Sequence, residues 1–163
     1  MGCLSNIDVV ILAGGLGTRL EAVQPDLPKA LTVVGGRPIV DRLIEQVVSC
    51  GAHRVVLALG HLAEQVVTHL KGLVFEGVEL TYVVESSPLG TGGALRQAAE
   101  SARLAGSARE RSMLVMNGDS YVTADLCKLV DFHVSHTGRA SLLLVKVDDP
   151  SQFGAVLTDK SGA

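Results

Sequence analysis

Leu12-Ala13-Gly14-Gly15-Leu16-Gly17-Thr18-Arg19-Leu20 follows directly on the apolar run Val9-Val10-Ile11, and Pro28-Lys29 stands a short way beyond it. This order predicts a strand that empties into a glycine-rich, cationic loop. Gly14, Gly15 and Gly17 put no side chain between the backbone N–H groups and a ligand, so the loop can wrap phosphate oxygens. Arg19 and Lys29 add the positive charge that a neutral loop lacks. Two better-known phosphate loops fit less well. A P-loop needs Gly-Lys-Ser/Thr, whereas Gly17 is followed by Thr18-Arg19. A dinucleotide fingerprint begun at Gly15 meets Gly17 but has Leu20 where its last glycine belongs. The next apolar run, Arg54 to Leu59, also ends without an acidic ribose partner.

Working outward, the 163 residues, 47% hydrophobic and 19% charged, fit one globular domain with a buried core. The net charge of −3, the absence of any Lys/Arg run and the few aromatics (two Tyr, three Phe, no Trp) argue against a nucleic-acid surface. A small nucleotide is the expected partner. The apolar runs are broken by Gly, Asp or Arg well before the roughly 18 residues of a membrane span, and no basic start precedes a cleavable apolar stretch. Cys3, Cys50 and Cys127 are dispersed in the chain and form no CxxC pair. An odd number of such thiols suits a reducing, cytoplasmic setting, and Cys50, among Val47, Val48 and Ala52, reads as a buried, inert thiol.

Val9 to Ala13, Arg54 to Leu59, Glu79 to Val84, Ser112 to Met116 and Ala140 to Val147 read as strands. Pro38 to Ser49 reads as a helix with proline in its first turn and Gly51 as its stop signal; Leu62 to Leu70, Ala94 to Ala105 and Ala124 to His136 are further helices. The alternation predicts an α/β, Rossmann-like, doubly wound fold, its sheet mainly parallel with helices on both faces. Loops at the carboxyl ends of the strands then gather along one rim, where such sheets bind ligands. Phe153 to Thr158 would begin another strand, and Asp159-Lys160-Ser161-Gly162 would turn it. A strand left open at that hairpin could pair with another chain, so a homo-oligomer stays open.

Three loops on the rim carry candidate chemistry. Asn117-Gly118-Asp119-Ser120 follows the apolar strand around Met113 to Met116 and presents Asp119 where a hard cation such as Mg²⁺ accepts oxygen ligands. Glu85 to Ala94 (Glu-Ser-Ser-Pro-Leu-Gly-Thr-Gly-Gly-Ala) has little side-chain bulk and could press backbone against a base or sugar, or serve as an ordinary connection with Thr91 capping the next helix. His133 and His136, three apart, read as a solvated helix face, and His53, His61 and His69 have no distinguishing neighbours. No Ser/His/Asp or Cys/His arrangement is present. A phosphate attacking a nucleotide phosphate needs no base, because it is already an anion; it needs charge neutralisation and alignment.

Taken together, LAGGLGTRL, PKA, PLGTGGAL and NGDS, in this order and spacing, resemble the sugar-phosphate nucleotidylyltransferases over nearly the whole chain. The resemblance implies a nucleotide-diphospho-sugar transferase fold and an enzyme that joins an NTP to a sugar 1-phosphate and releases pyrophosphate. It also implies catalytic roles for Arg19 and Lys29, nucleotide contacts from Leu12, Ala13, Gly14, Gly15, Gly17, Thr18, Leu89, Gly90 and Asn117, and Mg²⁺ on Asp119. The phrasing Val23 to Lys29, Gly60 to Gln65 and Glu85 to Ala94 looks most like the D-glycero-D-manno-heptose 1-phosphate guanylyltransferases, which use GTP. Mannose 1-phosphate guanylyltransferases and glucose 1-phosphate thymidylyl- or uridylyltransferases share the same loops. Many members carry Pro where Ala30 stands. Members also continue into a Glu-Lys-Pro segment that holds the sugar phosphate and into a second metal aspartate, neither of which this sequence contains, so the expectation is a C-terminally truncated domain lacking its acceptor-binding part. A nucleotide-binding module without catalysis is the reading from another class. A cytidylyltransferase for an amino-alcohol phosphate would need an aromatic or acidic cage, for which the few aromatics offer little.

Overall fold

Asp8–Ala13 forms strand β1, and every later strand of the main sheet is placed by reference to it. In the computed structural model residues 2–15, 26–104, 111–149 and 154–158 are described. Beyond β1 come a short 3₁₀ turn, Lys29–Leu31, and a two-stranded hairpin of β2 (Val33–Val34) and β3 (Arg37–Pro38). Then helix and strand alternate: α1 (Ile39–Ser49), β4 (Arg54–Leu59), α2 (Ala63–Leu70), β5 (Glu79–Val84), α3 (Gly90–Leu104), β6 (Met113–Asn117) and α4 (Leu126–Ser135). The main sheet runs β5-β4-β1-β6 with all neighbours parallel. Val9 pairs with Val55 on one side and with Leu114 on the other.

The period of two along β1 and β4 sorts their side chains into two cores. Val9, Ile11, Val55, Leu57 and Leu59 face α1, α2 and α4, meeting Leu43, Ile44, Val47, Val66, Leu70 and Leu126. Val10, Val56 and Ala58 face α3, where Ala94 and Ala98 lie one helical turn apart and let the helix come close to the sheet. The doubly wound arrangement expected from the sequence is therefore present, with helices on both faces.

Charge and capping fix the edges. Arg54 bridges Asp8 on β1 (3.3 Å) and Glu79 on β5 (3.0 Å) at the amino ends of three adjacent strands. The Glu79 hydrogen bond first, and the Asp8 charge with it, hold the guanidinium above the ordinary arginine value against the cost of its partial burial. Asp41 is buried in the first turn of α1 and meets His69 Nε2 of α2 at 2.6 Å, tying the two helices together. Arg42 donates to the carbonyls of Val34 and Gly35 and clamps the small hairpin onto α1.

Several expectations are corrected. Ala140 to Val147 is not a strand: it finds no ladder partner among the described residues, and Leu142, Leu144 and Val145 are exposed. An apolar, β-branched run supplies side chains for a strand but not the neighbouring backbone that a ladder requires. The described part of Phe153 to Thr158, residues 154–158, likewise forms no strand with any of the described residues, and the turn at 159–162 lies outside them. Pro38 precedes α1 as its cap, in extended geometry, rather than opening its first turn. Helix α3 starts at Gly90, so Thr91 lies within its first turn and caps nothing.

The thiols are dispersed in sequence but not in space. Cys3 and Cys127, 124 residues apart, form a disulfide, and Cys50 at the end of α1 is half-buried and free. Closing so long a loop restricts the unfolded chain, a contribution of about 3–5 kcal/mol in the chain-entropy account. Reduction is therefore expected to lower the denaturation midpoint by a corresponding amount, measured with guanidinium in the presence and absence of a phosphine reductant. An unchanged midpoint would contradict the stapling role.

Candidate functional site

The chain leaves β1 toward β4 and β5 on one side and returns to β6 on the other, so the sheet order reverses between β1 and β6. At such a switch point the loops diverge and open a crevice at the carboxyl ends of the strands. A cleft of about 620 Å³ lies there, lined by the loops after β1, β4, β5 and β6. Its size suits a small molecule.

Each wall follows from its strand. Leu12, Ala13, Gly14 and Gly15 carry β1 into the cleft. The Gly118 N–H donates to the Leu12 carbonyl at 2.8 Å, which extends the β1–β6 pairing one step beyond the strand and sets Asn117 and Asp119 on the rim. Opposite, Gly60 packs on Gly14 so closely that a Cβ on Gly60 would stand 2.6 Å from the Gly14 carbonyl oxygen. Only glycine allows this approach. The Glu85 N–H donates to the Leu59 carbonyl at 2.8 Å, continuing the β4–β5 ladder, and its carboxylate accepts the Leu89 N–H at 3.0 Å. That bond shapes the turn into α3, whose first residues, Gly90, Thr91 and Ala94, line the cleft. No acidic residue stands in its first turn, and the Glu85 carboxylate on the Leu89 N–H is the anionic group set against its positive end.

Lys29 reaches the same cleft from the 3₁₀ turn. Leu31 N–H donates to the Pro28 carbonyl and Thr32 N–H to the Lys29 carbonyl, while Ala30, 2% exposed, anchors the turn in the core. The small Ala30 fits that socket and turns Lys29 outward, where its Nζ lies 3.5 Å from Asp119 Oδ2. Asp119 also accepts the Ser120 hydroxyl at 3.0 Å. The Asp119 carboxylate, with room beside it in the cleft for phosphate and water, is a hard-oxygen donor of the kind Mg²⁺ takes.

The structure thus brings Leu12, Ala13, Gly14, Gly15, Lys29, Gly90, Asn117 and Asp119 to one cavity. Leu89 stands 42% exposed and is not among the lining residues. Gly17, Thr18 and Arg19 lie outside the described residues. In the sequence Gly60 to Gln65 entered only through the family resemblance, with no site role for Gly60 or His61, yet both line the cleft at the end of β4. His133 and His136 serve local structure, His133 Nδ1 meeting Ser141 Oγ at 3.1 Å and His136 stacking on Phe132.

Comparison with known proteins bears on the fold and the family. The sequence profile described as Nucleotidyl transferase matches residues 8–163. The mannose-1-phosphate guanylyltransferase of Mycobacterium tuberculosis is 36% identical over 94% of this chain and 41% of its own length. The mannose-1-phosphate guanyltransferase of Saccharomyces cerevisiae is 36% identical over 92% of this chain and 41% of its own. The crystal structure of HddC from Yersinia pseudotuberculosis complexed with GMP-PN superposes with a TM-score of 0.78 at 32% identity, covering 95% of this chain and 65% of that one. The chain therefore spans about two fifths of the length of these sequence relatives. Over the part it shares with them, it belongs to the nucleotidyl transferase family.

Proposed function

We propose that this chain carries the nucleotide-binding and phosphate-neutralising part of a cytoplasmic sugar-1-phosphate nucleotidylyltransferase that uses GTP and Mg²⁺, with D-glycero-D-manno-heptose 1-phosphate or mannose 1-phosphate as acceptor. The observation that carries the reading is the Lys29–Asp119 pair, 3.5 Å apart in a cleft between the ends of β1 and β6. An ammonium and a carboxylate side by side can serve a phosphate and its metal counter-ion together.

In the reaction an oxygen of the sugar 1-phosphate forms a bond to the α-phosphorus of GTP, and the bond from that phosphorus to the pyrophosphate oxygen breaks. No proton has to be removed from the attacking anion. Lys29 and Arg19 neutralise the charge on the phosphates, and the backbone of Gly14, Gly15, Gly17 and Thr18 together with the start of α3 orients them. Mg²⁺ held by Asp119, when bound, supplies charge neutralisation for the departing pyrophosphate. Leu12, Ala13, Gly90 and Asn117 line the part of the cleft that takes the nucleoside, and Leu89, outside the lining, flanks Gly90. Guanine offers paired N–H donors on one edge, and Glu85 has acceptor capacity beyond its bond to Leu89 N–H to receive them. The guanylyltransferase relatives and the GMP-PN complex of HddC support guanine as the base.

The test is product formation: the chain is incubated with Mg²⁺, GTP and either sugar 1-phosphate, and GDP-sugar and pyrophosphate are measured. GDP-sugar supports the proposal; turnover of UTP with glucose 1-phosphate alone would move it to another acceptor and base. GTP binding without product from any sugar phosphate would favour the second reading, a non-catalytic nucleotide-binding module.

A further inference from the structure

We propose that Cys3, Cys50 and Cys127 form a three-thiolate site for a soft metal ion such as Zn²⁺ once the Cys3–Cys127 disulfide is reduced. The site lies at the amino ends of β1 and β4, at the opposite end of the sheet from the nucleotide cleft, and is independent of the reading given for that cleft.

Three separate elements deliver the sulfurs: the segment before β1, the end of α1 and the first turn of α4. All three Sγ atoms lie within 4.8 Å of one another. Thiolates around a tetrahedral Zn²⁺ at about 2.3 Å are separated by about 3.8 Å, so the cluster needs only the disulfide opened and small side-chain rotations. Each cysteine is half-buried, with Cys3 and Cys50 packed against the core, so a bound ion would sit apart from bulk water.

The backbones that carry the thiols are held without help from the disulfide. Leu4 N–H donates to the Cys50 carbonyl at 3.0 Å. Gly2 rests on Cys50 and Gly51 so tightly that a Cβ on Gly2 would fall 2.2 Å from the Cys50 carbonyl oxygen. Leu126, next to Cys127, is buried in the core, and Gln46 Nε2 of α1 donates to the Val122 carbonyl at 2.9 Å, which ties the segment before α4 to α1. The three positions therefore stay together when the sulfurs are free. A dithiol reductant passes two electrons and two protons to the disulfide, giving two thiols and its own disulfide; the metal then displaces protons from the three thiols. Sulfur ligands select soft ions, which distinguishes the site from the oxygen-lined cleft at Asp119.

The test is titration of the phosphine-reduced chain with Cd²⁺ as a spectroscopic stand-in for Zn²⁺, in excess Mg²⁺, following the ultraviolet sulfur-to-metal charge-transfer absorption. The expected result is saturation at one equivalent, no band in the oxidised chain, and a loss of affinity of at least ~10-fold in Cys50→Ser. Cys50→Ser keeps the disulfide pair, so its fold can be checked in the oxidised state by circular dichroism. No band in the reduced wild type, or equal affinity in Cys50→Ser, would overturn the proposal.

Discussion

Lys29→Ala is expected to lower nucleotidyl transfer by about 10²–10³-fold, the usual effect of removing one group that stabilises developing charge, and Asp119→Ala to lower it at least as far. Both variants should keep the wild-type circular dichroism spectrum and unfolding midpoint. The Lys29 and Asp119 side chains are 30% and 47% exposed, and a pair so open to solvent contributes about 0–1 kcal/mol to stability. Removing both groups should cost less than the product of the two single effects, because groups that serve one phosphate and its metal act as a unit. The check is the initial rate of pyrophosphate release for both single variants and the double variant. A fully active Asp119→Ala chain would sink the metal assignment, and a fully active Lys29→Ala chain would remove Lys29 from the phosphate site.

Gly60→Val is expected to damage binding and fold together. The added Cβ would stand 2.6 Å from the Gly14 carbonyl oxygen, a backbone atom that cannot swing aside. Relief requires the ends of β1 and β4 to part, at a cost of about 1–3 kcal/mol. A displacement on the scale of an ångström in the phosphate loop is worth about 10²-fold in a reaction that depends on alignment. Gly92→Ala is the matched control, since a Cβ there meets nothing within 4 Å and alanine favours the first turn of α3. The comparison of GTP affinity and denaturation midpoint for the two variants checks this. Equal behaviour would mean that the Gly14–Gly60 contact does not set the loop.

The parallel sheet was legible because β1 and β4 are covered on both faces, and their continuous Val/Leu/Ile runs say so without any partner being known. β5 and β6 were legible as strands by the same composition, though among the described residues each has one neighbour in the sheet. The same signal misled at Ala140 to Val147, since an apolar run does not reveal whether a free sheet edge stands beside it. Rim residues were legible where an apolar strand runs into a cluster of such residues, as at Gly14-Gly15 after β1 and Gly118-Asp119 after β6. Gly60 and His61 were not, because their importance depends on the distance to a loop some 45 residues earlier in the chain, a tertiary quantity that no local pattern encodes. The convergence of Cys3, Cys50 and Cys127 was hidden for the same reason.

Under the proposed function the β1–β6 cleft takes a guanine nucleotide with its phosphates on Lys29 and on Mg²⁺ held by Asp119. Calorimetric titration of the chain with GTP and, in parallel, with UTP, each in Mg²⁺, tests it most directly. Stoichiometric binding of GTP in preference to UTP, weakened in Lys29→Ala, is the predicted result. Preference for UTP, or GTP binding unchanged by Lys29→Ala, would contradict it.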